Sequence, residues 1–404
     1  MNIWYISKYT APSYAAKVSS RGFQILKELV KNSNNCILIT SDSNNLICAP
    51  KIKGNRKYEN VDGVDVVWLR TYKYKNPRSF ARIISWVDFE WKIIRMPKKE
   101  LAKPDVVIAS SLSLLSIING LWLKKKFNCK LIFEVRDIWP LVLTTTGGIS
   151  NKNLLIMFLS WIEKKGYTKA DKVVGTMPNL SEHIYNVTGQ HIVASCIPQG
   201  IDLDVNNQPV PLTKEYIDLY IPKNKFIICY AGTIGADNAL ETLFACAREL
   251  RTNRNVHFLI VGDGYLKEKY QKENKDLKNI TFAPRVEKNQ VHSVLQLADI
   301  VYFAVNKSPI WQYGQSLNKV IDYMMSEKPI LASYSGYPSM INEANCGFYV
   351  QAEDVFALKK GIEKMMSMSV SERQEMGKRG REWVINNRQF KDLAKEYLSI
   401  IKSI

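Results

Sequence analysis

The chain has 404 residues and a formal net charge of +18, and its length predicts two domains because one hydrophobic core rarely serves so many residues. A hydrophobic content of 46% excludes a disordered chain. The seven cysteines are scattered without a C-x-x-C pair and the four histidines lack ligand spacing, which argues against a disulfide scaffold and gives no zinc site.

The N-terminal sequence predicts a cytoplasmic protein. Residues 1–7 form a short apolar run that ends at Lys8, which is too short for the apolar core of a signal peptide. The longest uncharged run, 106–123, contains four serines. A strand followed by a buried helix is therefore expected there, rather than a membrane span.

The positive charge is concentrated in the first half of the chain. Residues 1–205 hold 29 Lys and Arg against 16 Asp and Glu, and the remainder holds 27 against 22. Such an excess favours an anionic partner, and a membrane surface, a lipid phosphate or a nucleic acid would each fit.

Strands and helices alternate through both halves of the chain. Short apolar runs rich in β-branched residues predict parallel strands buried on both faces. In the first half they lie at 3–7, 36–40, 64–70, 106–110, 130–134, 172–175 and 192–197, with helices at 19–31, 112–126, 154–170 and 180–186. In the second half they lie at 226–231, 256–261, 280–283, 300–305, 329–332 and 348–350, with helices at 239–250, 265–274, 289–297, 317–325, 355–366, 371–386 and 391–404.

The proline-rich segment 198–222 interrupts this alternation and predicts a linker. We therefore expect an α/β chain with two Rossmann-like domains that face each other across a cleft. Their bounds are predicted as 1–200 and 226–388, with a linker over 201–225 and a last segment over 389–404.

Residues 79–96 do not fit the sheet and predict an amphipathic helix. Its apolar side chains are Phe80, Ile83, Ile84, Val87, Trp91 and Ile94. Basic residues lie close by at Arg82, Lys92, Arg95, Lys98 and Lys99. Basic amphipathic helices rich in Trp and Phe bind membrane interfaces, and ordinary core packing is the alternative.

The segment 313–329 predicts a nucleotide site. It begins as a polar loop and continues as a short helix with Asn318 and Lys319 in its first turn and Asp322 one turn later. Free N–H groups at a helix N-terminus with a cation beside them favour a phosphate, and a carboxylate can accept hydrogen bonds from a ribose diol. The alternative is a plain amphipathic helix with a solvated Lys–Asp pair.

Three further features follow predicted strands of the second half. They are A-G-T-I-G at 231–235, V-G-D-G at 261–264 and A-P-R-V at 283–286. Glycines let backbone approach a phosphate closely, and strand C-termini are where such folds bind ligands. The candidate residues for this nucleotide site are Gly232, Thr233, Gly262, Asp263, Gly264, Arg285, Val286, Gln315, Ser316, Leu317, Asn318, Lys319 and Asp322.

In the first half, E-V-R-D-I-W-P at 134–140 also follows a predicted strand. Asp137 is a candidate partner or base for an acceptor hydroxyl, and Arg136 and Trp139 are candidates for binding the acceptor. A structural Arg–Asp pair in a turn is the alternative. The triplet Asp202–Leu203–Asp204 is favoured as a solvated loop over a divalent metal site.

These motifs resemble family four of the retaining glycosyltransferases, which have the GT-B fold. The resemblance rests on 231–235, 261–264, A-D-I-V-Y-F-A at 298–304, S-L-N-K-V-I-D-Y-M-M-S-E-K-P-I at 316–330 and I-P-Q-G-I-D at 197–202. R-D-I-W-P at 136–140 resembles the bacterial branch of WbuB-like fucosamine transferases of surface-polysaccharide synthesis.

The resemblance implies sugar transfer from a nucleotide donor, with retention and without a metal or other cofactor. It places the acceptor in the first domain and the donor in the second, and it implies that the last helix packs back on the first domain. The expected donor is a UDP-linked N-acetylated hexose or 6-deoxyhexose. The expected acceptor is a lipid-pyrophosphate-linked saccharide in O-antigen or capsule assembly, at the inner face of the bacterial cell membrane. Lys319 and Arg285 would stabilise the departing diphosphate, and Asp137 would orient the acceptor hydroxyl.

The chain departs from the family pattern at three places. The family has glutamates where this chain has Gly314 and Asp322, which implies that the ribose contact is kept and a donor-sugar contact is lost. The glycine loop continues as Ala236 and Asp237 without basic residues, and the loop over 9–15 lacks the usual glycine pair.

Two other functions stay open from the sequence. One is a nucleotide-sugar 2-epimerase on the same fold, although no cluster of carboxylates and a histidine is evident. The other is a non-enzymatic nucleic-acid binder that uses the basic half, although no aromatic–basic recognition motif appears.

Overall fold

The computed structural model describes residues 1–16, 20–44, 47–74, 79–203 and 209–404. Contacts divide the chain into two units, of which the first is Met1–Gly200 with Phe390–Ile404 and the second is Ile201–Gln389. No helix within the described ranges is both long and apolar enough to cross a membrane.

The first unit is built on an eight-stranded sheet in the order β3-β4-β2-β1-β5-β6-β7-β8. Its strands are β1 Asn2–Ile6, β2 Asn35–Ser41, β3 Arg56–Val61, β4 Val64–Leu69, β5 Val106–Ser111, β6 Lys130–Val135, β7 Lys172–Gly175 and β8 Ser195–Cys196. The strands are parallel except that β3 runs antiparallel to β4. The predicted strand over 192–197 is thus only two residues long, and β3 was not predicted.

The helices of this unit are α1 Arg21–Lys31, α2 Phe80–Arg95, α3 Ser116–Phe127, α4 Leu141–Thr145, α5 Leu154–Lys169, α6 Leu180–Thr188 and the last helix of the chain, Phe390–Lys402. Alternate strand residues point to opposite faces of the sheet. Ile3 and Tyr5 accordingly pack in a core with α1 and the last helix, whereas Trp4 and Ile6 pack in a core with α2 and α3.

The second unit contains a six-stranded sheet, parallel throughout, in the order β11-β10-β9-β12-β13-β14. Its strands are β9 Phe226–Ala231, β10 Val256–Val261, β11 Ile280–Ala283, β12 Ile300–Ala304, β13 Ile330–Ser333 and β14 Gly347–Val350. Its helices are α7 Lys214–Tyr220, α8 Glu241–Glu249, α9 Lys267–Glu273, α10 Val291–Leu295, α11 Asn318–Met325, α12 Met340–Glu343, α13 Val355–Ser367 and α14 Val370–Asn387. Helix α7 lies inside the segment that the sequence predicted as a linker, and its Tyr216 packs against the core of this unit.

A fully buried ion pair connects distant segments of the first unit. Arg21 on α1 contacts Glu134 on β6 at 2.9 Å, and both side chains are at most 1% exposed. The guanidinium also donates to the carbonyls of Ile197 and Pro198, at 2.7 and 3.0 Å. Burial alone would raise the pKa of Glu134, but Arg21 and the hydroxyl donors around it hold that pKa below its ordinary value.

Replacing Glu134 by alanine should leave the Arg21 guanidinium buried without its counter-charge. We expect the free energy of unfolding of the first unit to fall by about 3–5 kcal/mol, measured by urea denaturation. Asp392→Asn is the matched control, because it removes one partner of an exposed ion pair with Lys395 on the last helix of the same unit, and it should leave the midpoint unchanged. A loss for Glu134→Ala as small as that of the control would show that the pair does not stabilise the unit.

Candidate functional site

Two glycine loops meet at the carboxyl edge of the second sheet. The loop after β9 and the loop after β10 are joined by hydrogen bonds from the Gly232 N–H to the Val261 carbonyl, at 3.0 Å, and from the Ile234 N–H to the Asp263 carbonyl, at 2.9 Å. Gly262 has φ +148°, and a Cβ there would lie 1.9 Å from the Gly232 carbonyl oxygen. The backbones approach so closely that a side chain at this position is excluded.

Helix α11 is attached to the same edge by Tyr323. The Tyr323 hydroxyl donates to the Ala231 carbonyl at 3.0 Å and accepts from the Ala231 N–H at 2.9 Å. Lys319 lies one turn nearer the helix N-terminus, on the same face. Its Nζ contacts the Tyr230 hydroxyl at 3.3 Å and the Asn238 amide oxygen. The sequence-predicted Lys319 is therefore brought to the Gly232 loop by contacts within one unit.

The corner formed by the Gly232 loop and the N-terminus of α11 has electrostatics that favour an anion. Burial lowers the pKa of Lys319 to about 8, which indicates an ammonium group that is poorly solvated and lacks a neighbouring carboxylate strong enough to offset burial. The N-cap of α11 is Leu317, which offers no side-chain acceptor to the first-turn amides within the described part of the chain. Backbone amides at a helix N-terminus, together with an ammonium group, can bind a phosphate.

Asp322 and Gln315, which flank this corner in sequence, differ in their surroundings. Asp322 is partly exposed, and burial raises the pKa of its carboxyl group while the Lys288 charge opposes that rise. Gln315 is buried, and its amide donates to the Ser339 hydroxyl at 3.3 Å and the Tyr349 hydroxyl at 3.2 Å. The structure therefore leaves Asp322 accessible to a ligand, whereas the Gln315 amide nitrogen is engaged in the protein interior.

The remaining donor-binding candidates are mostly at the surface. Thr233, Asp263, Arg285 and Asn318 are exposed. Gly264 and Ser316 are partly exposed, and Leu317 and Val286 pack against the core of the unit. Arg285 follows β11 at the same sheet edge, and no hydrogen bond or ion pair to it is found among the described residues. Its role as a phosphate ligand stays a prediction.

Sequence reasoning missed three residues of this corner. Tyr230 and Asn238 contact Lys319, and Lys267 donates from Nζ to the carbonyls of Gly262 and Ala283, at 2.8 and 3.1 Å. Lys267 thus connects the ends of β10 and β11 and adds a second cation beside the glycine loops. Its position in the first turn of the helix that follows V-G-D-G is the signal that could have identified it.

In the first unit, the predicted acceptor residues follow β6. The Arg136 N–H donates to the Ser111 hydroxyl at 3.2 Å, and its carbonyl accepts from Thr176 at 2.9 Å. These bonds fix the backbone from which Asp137 and Trp139 project. Burial raises the pKa of the Asp137 carboxyl group, and the charges of Arg136 and Arg82 oppose the rise.

A cluster of aromatic rings surrounds Arg82 beside these residues. The guanidinium carbon lies 5.1 Å from the Trp86 ring centroid and 5.6 Å from those of Tyr9 and Trp139. Trp86 donates to the Tyr9 hydroxyl at 2.7 Å and meets Trp139 edge to face at 5.5 Å. The predicted Trp139 is thus part of a cation–π cluster. Arg82, Trp86 and Tyr9 were missed as site residues, although Arg82 and Trp86 are four residues apart and share one face of α2.

Within the described ranges, no group of three or more His, Cys, Asp or Glu side chains is placed to hold a metal ion. Asp204, the second carboxylate of the D-x-D triplet, lies outside the described residues. The expectation of a metal-independent reaction therefore stays a prediction.

Comparison with known proteins found a family model that matches most of the second unit. Residues 214–383 match the family model for glycosyl transferases group 1. This part of the chain is therefore similar to the group 1 glycosyl transferases. The predicted enzyme class, a glycosyltransferase, is thereby confirmed. A search of the curated proteins found no match to the sequence.

Solved structures similar to the whole chain show its fold. A trehalose-6-phosphate protein of E. coli bound with UDP-2-fluoro glucose has a TM-score of 0.76 at 12% identity, over 100% of this chain and 99% of that one. Anabaena HepE in complex with UDP-glucose has a TM-score of 0.64 at 11% identity, over 100% of both chains. WaaG, a glycosyltransferase involved in lipopolysaccharide biosynthesis, has a TM-score of 0.65 at 12% identity, over 99% of both chains. The predicted GT-B fold class, with two parallel-sheet α/β domains, is confirmed.

Replacing Gly262 by alanine should force the two glycine loops apart. The new Cβ would overlap the Gly232 carbonyl oxygen and would occupy a backbone conformation that favours glycine. We expect the free energy of unfolding of the second unit to fall by about 3 kcal/mol and UDP binding, measured by calorimetry, to weaken at least about tenfold.

The matched control is Gly189→Ala in the first unit. Gly189 has φ +72°, and no described atom lies within 4 Å of an added Cβ, so this change tests the backbone conformation without the overlap. It should cost about 1 kcal/mol and leave UDP binding unchanged. Unchanged UDP affinity in Gly262→Ala would contradict the assignment of these loops to the donor site.

Proposed function

We propose that the protein is a retaining glycosyltransferase that moves a UDP-linked N-acetylated hexose or 6-deoxyhexose to a lipid-pyrophosphate-linked saccharide during O-antigen or capsule assembly. The second unit binds the donor and the first unit binds the acceptor. The observation that carries the proposal is the position of the Lys319 ammonium beside the Gly232 loop, at the N-terminus of α11.

The donor half of the proposal rests on electrostatics. When the sugar leaves its nucleotide, negative charge develops on the departing diphosphate, and preorganised cations and amides stabilise that charge. Lys319, Arg285 and the first-turn amides of α11 supply these groups. Asp322 accepts hydrogen bonds from the ribose hydroxyls. Donors of this kind are consistent with the structures of HepE in complex with UDP-glucose and of the trehalose-6-phosphate protein bound with UDP-2-fluoro glucose.

The acceptor half rests on the residues that follow β6. Asp137 has a raised pKa and lies near the positive charges of Arg136 and Arg82. It orients the acceptor hydroxyl, while Arg136 and Trp139 bind the acceptor's anionic and apolar parts. No histidine is assigned as a general base, and the leaving phosphate takes the acceptor proton without a metal ion.

The lipid-linked acceptor requires contact with a membrane surface, and we assign that contact to the basic first unit and residues 79–99. Helix α2 exposes Phe80, Ile84, Val87, Trp91 and Ile94 along one face. This supports a peripheral position on the inner face of a bacterial cell membrane. The similarity to WaaG, a glycosyltransferase involved in lipopolysaccharide biosynthesis, is consistent with a lipid-linked acceptor.

The proposed reaction can be tested with purified full-length protein. We expect release of UDP when a UDP-sugar and a lipid-pyrophosphate-linked saccharide are supplied together, at the same rate with and without EDTA, because the proposed leaving-group stabilisation uses cationic side chains and amides. The product should have the same anomeric configuration as the donor sugar, as determined by NMR. Inversion, or a rate abolished by EDTA and restored by a divalent metal, would contradict the mechanism, and epimerised sugar without an acceptor would contradict transfer.

The pKa of Lys319 predicts how donor binding depends on pH. Because burial lowers this pKa to about 8, Lys319 of the free enzyme is protonated at pH 7 and loses its proton above pH 8. UDP requires the charged form and raises the pKa when it binds, so the UDP dissociation constant should stay level up to pH 8. It should then rise by up to about tenfold for each further pH unit, measured by calorimetry from pH 7 to pH 9.5.

Two variants separate this effect from a general pH response. Lys319→Arg should bind UDP with little pH dependence over the same range, because a guanidinium stays protonated. Lys319→Ala should bind UDP at least about tenfold more weakly at pH 7 and also without pH dependence. If the UDP dissociation constant of Lys319→Ala depends on pH in the same way as that of the wild-type protein, another group titrates and Lys319 does not hold the diphosphate.

A further inference from the structure

Three helices cover one face of the first sheet. Helix α3 packs on β5 and β6, where a Cβ added at Gly120 would lie 2.8 Å from Leu131 and 3.1 Å from Ala109. Helix α5 packs beside α3, where a Cβ added at Gly166 would lie 2.9 Å from both Ile117 and Phe133. Helix α2 contacts the other side of α3. The layer therefore has the order α2, α3, α5, and its outer surface belongs to one unit.

Helix α5 is apolar on its outer side as well as on its inner side. Ile156, Leu159 and Ile162 are buried. On the outer side Leu154, Met157, Phe158 and Trp161 are 82, 56, 46 and 55% exposed. Their spacing of three, four and seven residues places them in one stripe. A stripe of large apolar side chains in water is unfavourable and marks an interaction surface.

On the outer surface of this layer, the apolar stripe of α5 lies on one side of α3 and the exposed apolar face of α2 lies on the other. Between the two, α3 exposes Ile118 and carries Trp122, whose ring centroid lies 4.9 Å from the Lys98 ammonium and 4.7 Å from that of Lys126. Trp91 on α2 and Trp161 on α5 lie next to cations in the same manner, at 4.5 Å from Arg95 and 5.7 Å from Lys165. Aromatic rings beside long cationic side chains are typical of proteins at membrane interfaces.

The charge of this surface selects its partner. Residues 79–99, 116–127 and 152–169 contain twelve Lys and Arg and three acidic residues. Two of the acids, Glu90 and Glu163, are buried, and Asp88 pairs with Lys92. A symmetric dimer would place the same cationic surface against itself, which like-charge repulsion opposes. A bilayer that contains anionic lipids offers both an apolar region for the stripes and negative charge for the lysines.

We propose that α5 is a second membrane-binding helix, whose side chains Leu154, Met157, Phe158 and Trp161 enter the interfacial region of an anionic lipid bilayer. It extends the proposed membrane contact of residues 79–99 and is independent of the sugar that the enzyme transfers. Two separate stripes would fix the orientation of the first unit on the membrane, because a single helix leaves rotation about its own axis unrestrained.

The test uses full-length protein and vesicles of phosphatidylcholine, with and without phosphatidylglycerol, in a sedimentation assay. The wild-type protein should bind vesicles that contain phosphatidylglycerol and should bind pure phosphatidylcholine much more weakly. The double variant Phe158→Ser/Trp161→Ser should lower the ratio of bound to free protein by about tenfold or more. Its thermal unfolding should match that of the wild type, because both side chains are exposed.

The matched control is Phe356→Ser on α13 of the second unit. Phe356 is 65% exposed, and the Lys360 ammonium lies 4.3 Å from its ring centroid, with the same four-residue spacing as Trp161 and Lys165. This variant removes an isolated exposed ring outside the stripe, so vesicle binding should not change. A second comparison, Phe80→Ser/Trp91→Ser, measures the contribution of α2.

Each outcome separates the proposals. If the α5 double variant binds vesicles as well as the wild-type protein does, the proposed role of α5 is wrong. If the α2 variant loses vesicle binding in the same assay, the proposed membrane contact of residues 79–99 still holds. Equal binding to both kinds of vesicle would overturn the anionic partner. If the wild-type protein binds no vesicles but self-associates, and the α5 variant abolishes that self-association, the stripe is a protein interface and both membrane assignments are wrong. The proposed transfer reaction is tested separately, by UDP release with an acceptor dissolved in detergent.

Discussion

The hydroxyl group of Tyr323 determines where α11 places the Lys319 ammonium group in the second unit. Strand β12 pairs with β9 only at Ile228 and Cys229, so the ladder on that side ends before Ala231. Tyr323 supplies partners for both the N–H and the carbonyl of Ala231, and its side chain is completely buried. A buried backbone group without a partner costs about 1–3 kcal/mol. A shift of α11 along the strand would leave the Ala231 groups unpaired, so this cost favours one register of the helix.

The position of Lys319 is a consequence of that register. One helical turn separates it from Tyr323, so its side chain reaches the loop that continues from Ala231. The glycine loop contains no basic residue of its own, and the cation comes from a helix some 90 residues later in the chain. Lys267 approaches the same loops from a third element, where two carbonyl groups hold it. Both cations are therefore set by tertiary contacts rather than by the glycine motif itself.

Helix α2 has apolar side chains on both its buried and its exposed side. Its inner side carries Trp86, which joins the Tyr9 hydroxyl and the Trp139 ring beside the predicted acceptor residues. Its outer side carries the exposed residues that we assign to a membrane surface. A lipid-linked acceptor has an apolar chain and an anionic head in one molecule, so a helix of this kind can meet both parts at neighbouring positions. Membrane contact and core packing were both compatible with the sequence of α2, and the structure shows core packing by one side of the helix.

Apolar periodicity was sufficient to predict most of the fold from the sequence. Strands β9, β10 and β11 were predicted with the bounds that the structure has, because each is a short, largely apolar run. Of these, β9 and β10 are buried on both faces, as continuous apolar runs indicate. Strand β3 was missed because it lies at an edge, and its sequence R-K-Y-E-N-V is largely polar. The turn between β3 and β4 was a better sequence signal for this hairpin. Asp62 and Gly63 both have positive φ, at +52° and +81°, as a two-residue hairpin turn requires.

The candidate site was predictable in its elements but less so in its contacts. Motifs at strand ends identified which loops share an edge, since topology alone brings the carboxyl ends of parallel strands together. The contacts of Lys319 with Tyr230 and Asn238, and the inward direction of the Gln315 amide, depend on side-chain packing across the sheet. Spacing along one element carries no information about such packing, and so Gln315 and Lys319 looked equivalent in the sequence.

Position 314 shows how backbone and motif are coupled. The family pattern has a glutamate there, and this chain has a glycine. Gly314 follows a short 3-10 helix, Pro309–Tyr313, with φ +101°, and its N–H donates to the Trp311 carbonyl at 3.1 Å. A side chain is strained in that conformation, so the glycine belongs to a loop shape that a glutamate would not adopt without cost. In the proposed donor site, recognition of the sugar would use groups outside this position. Asp322, on the regular helix one turn beyond Asn318, is the carboxylate that we propose for the ribose.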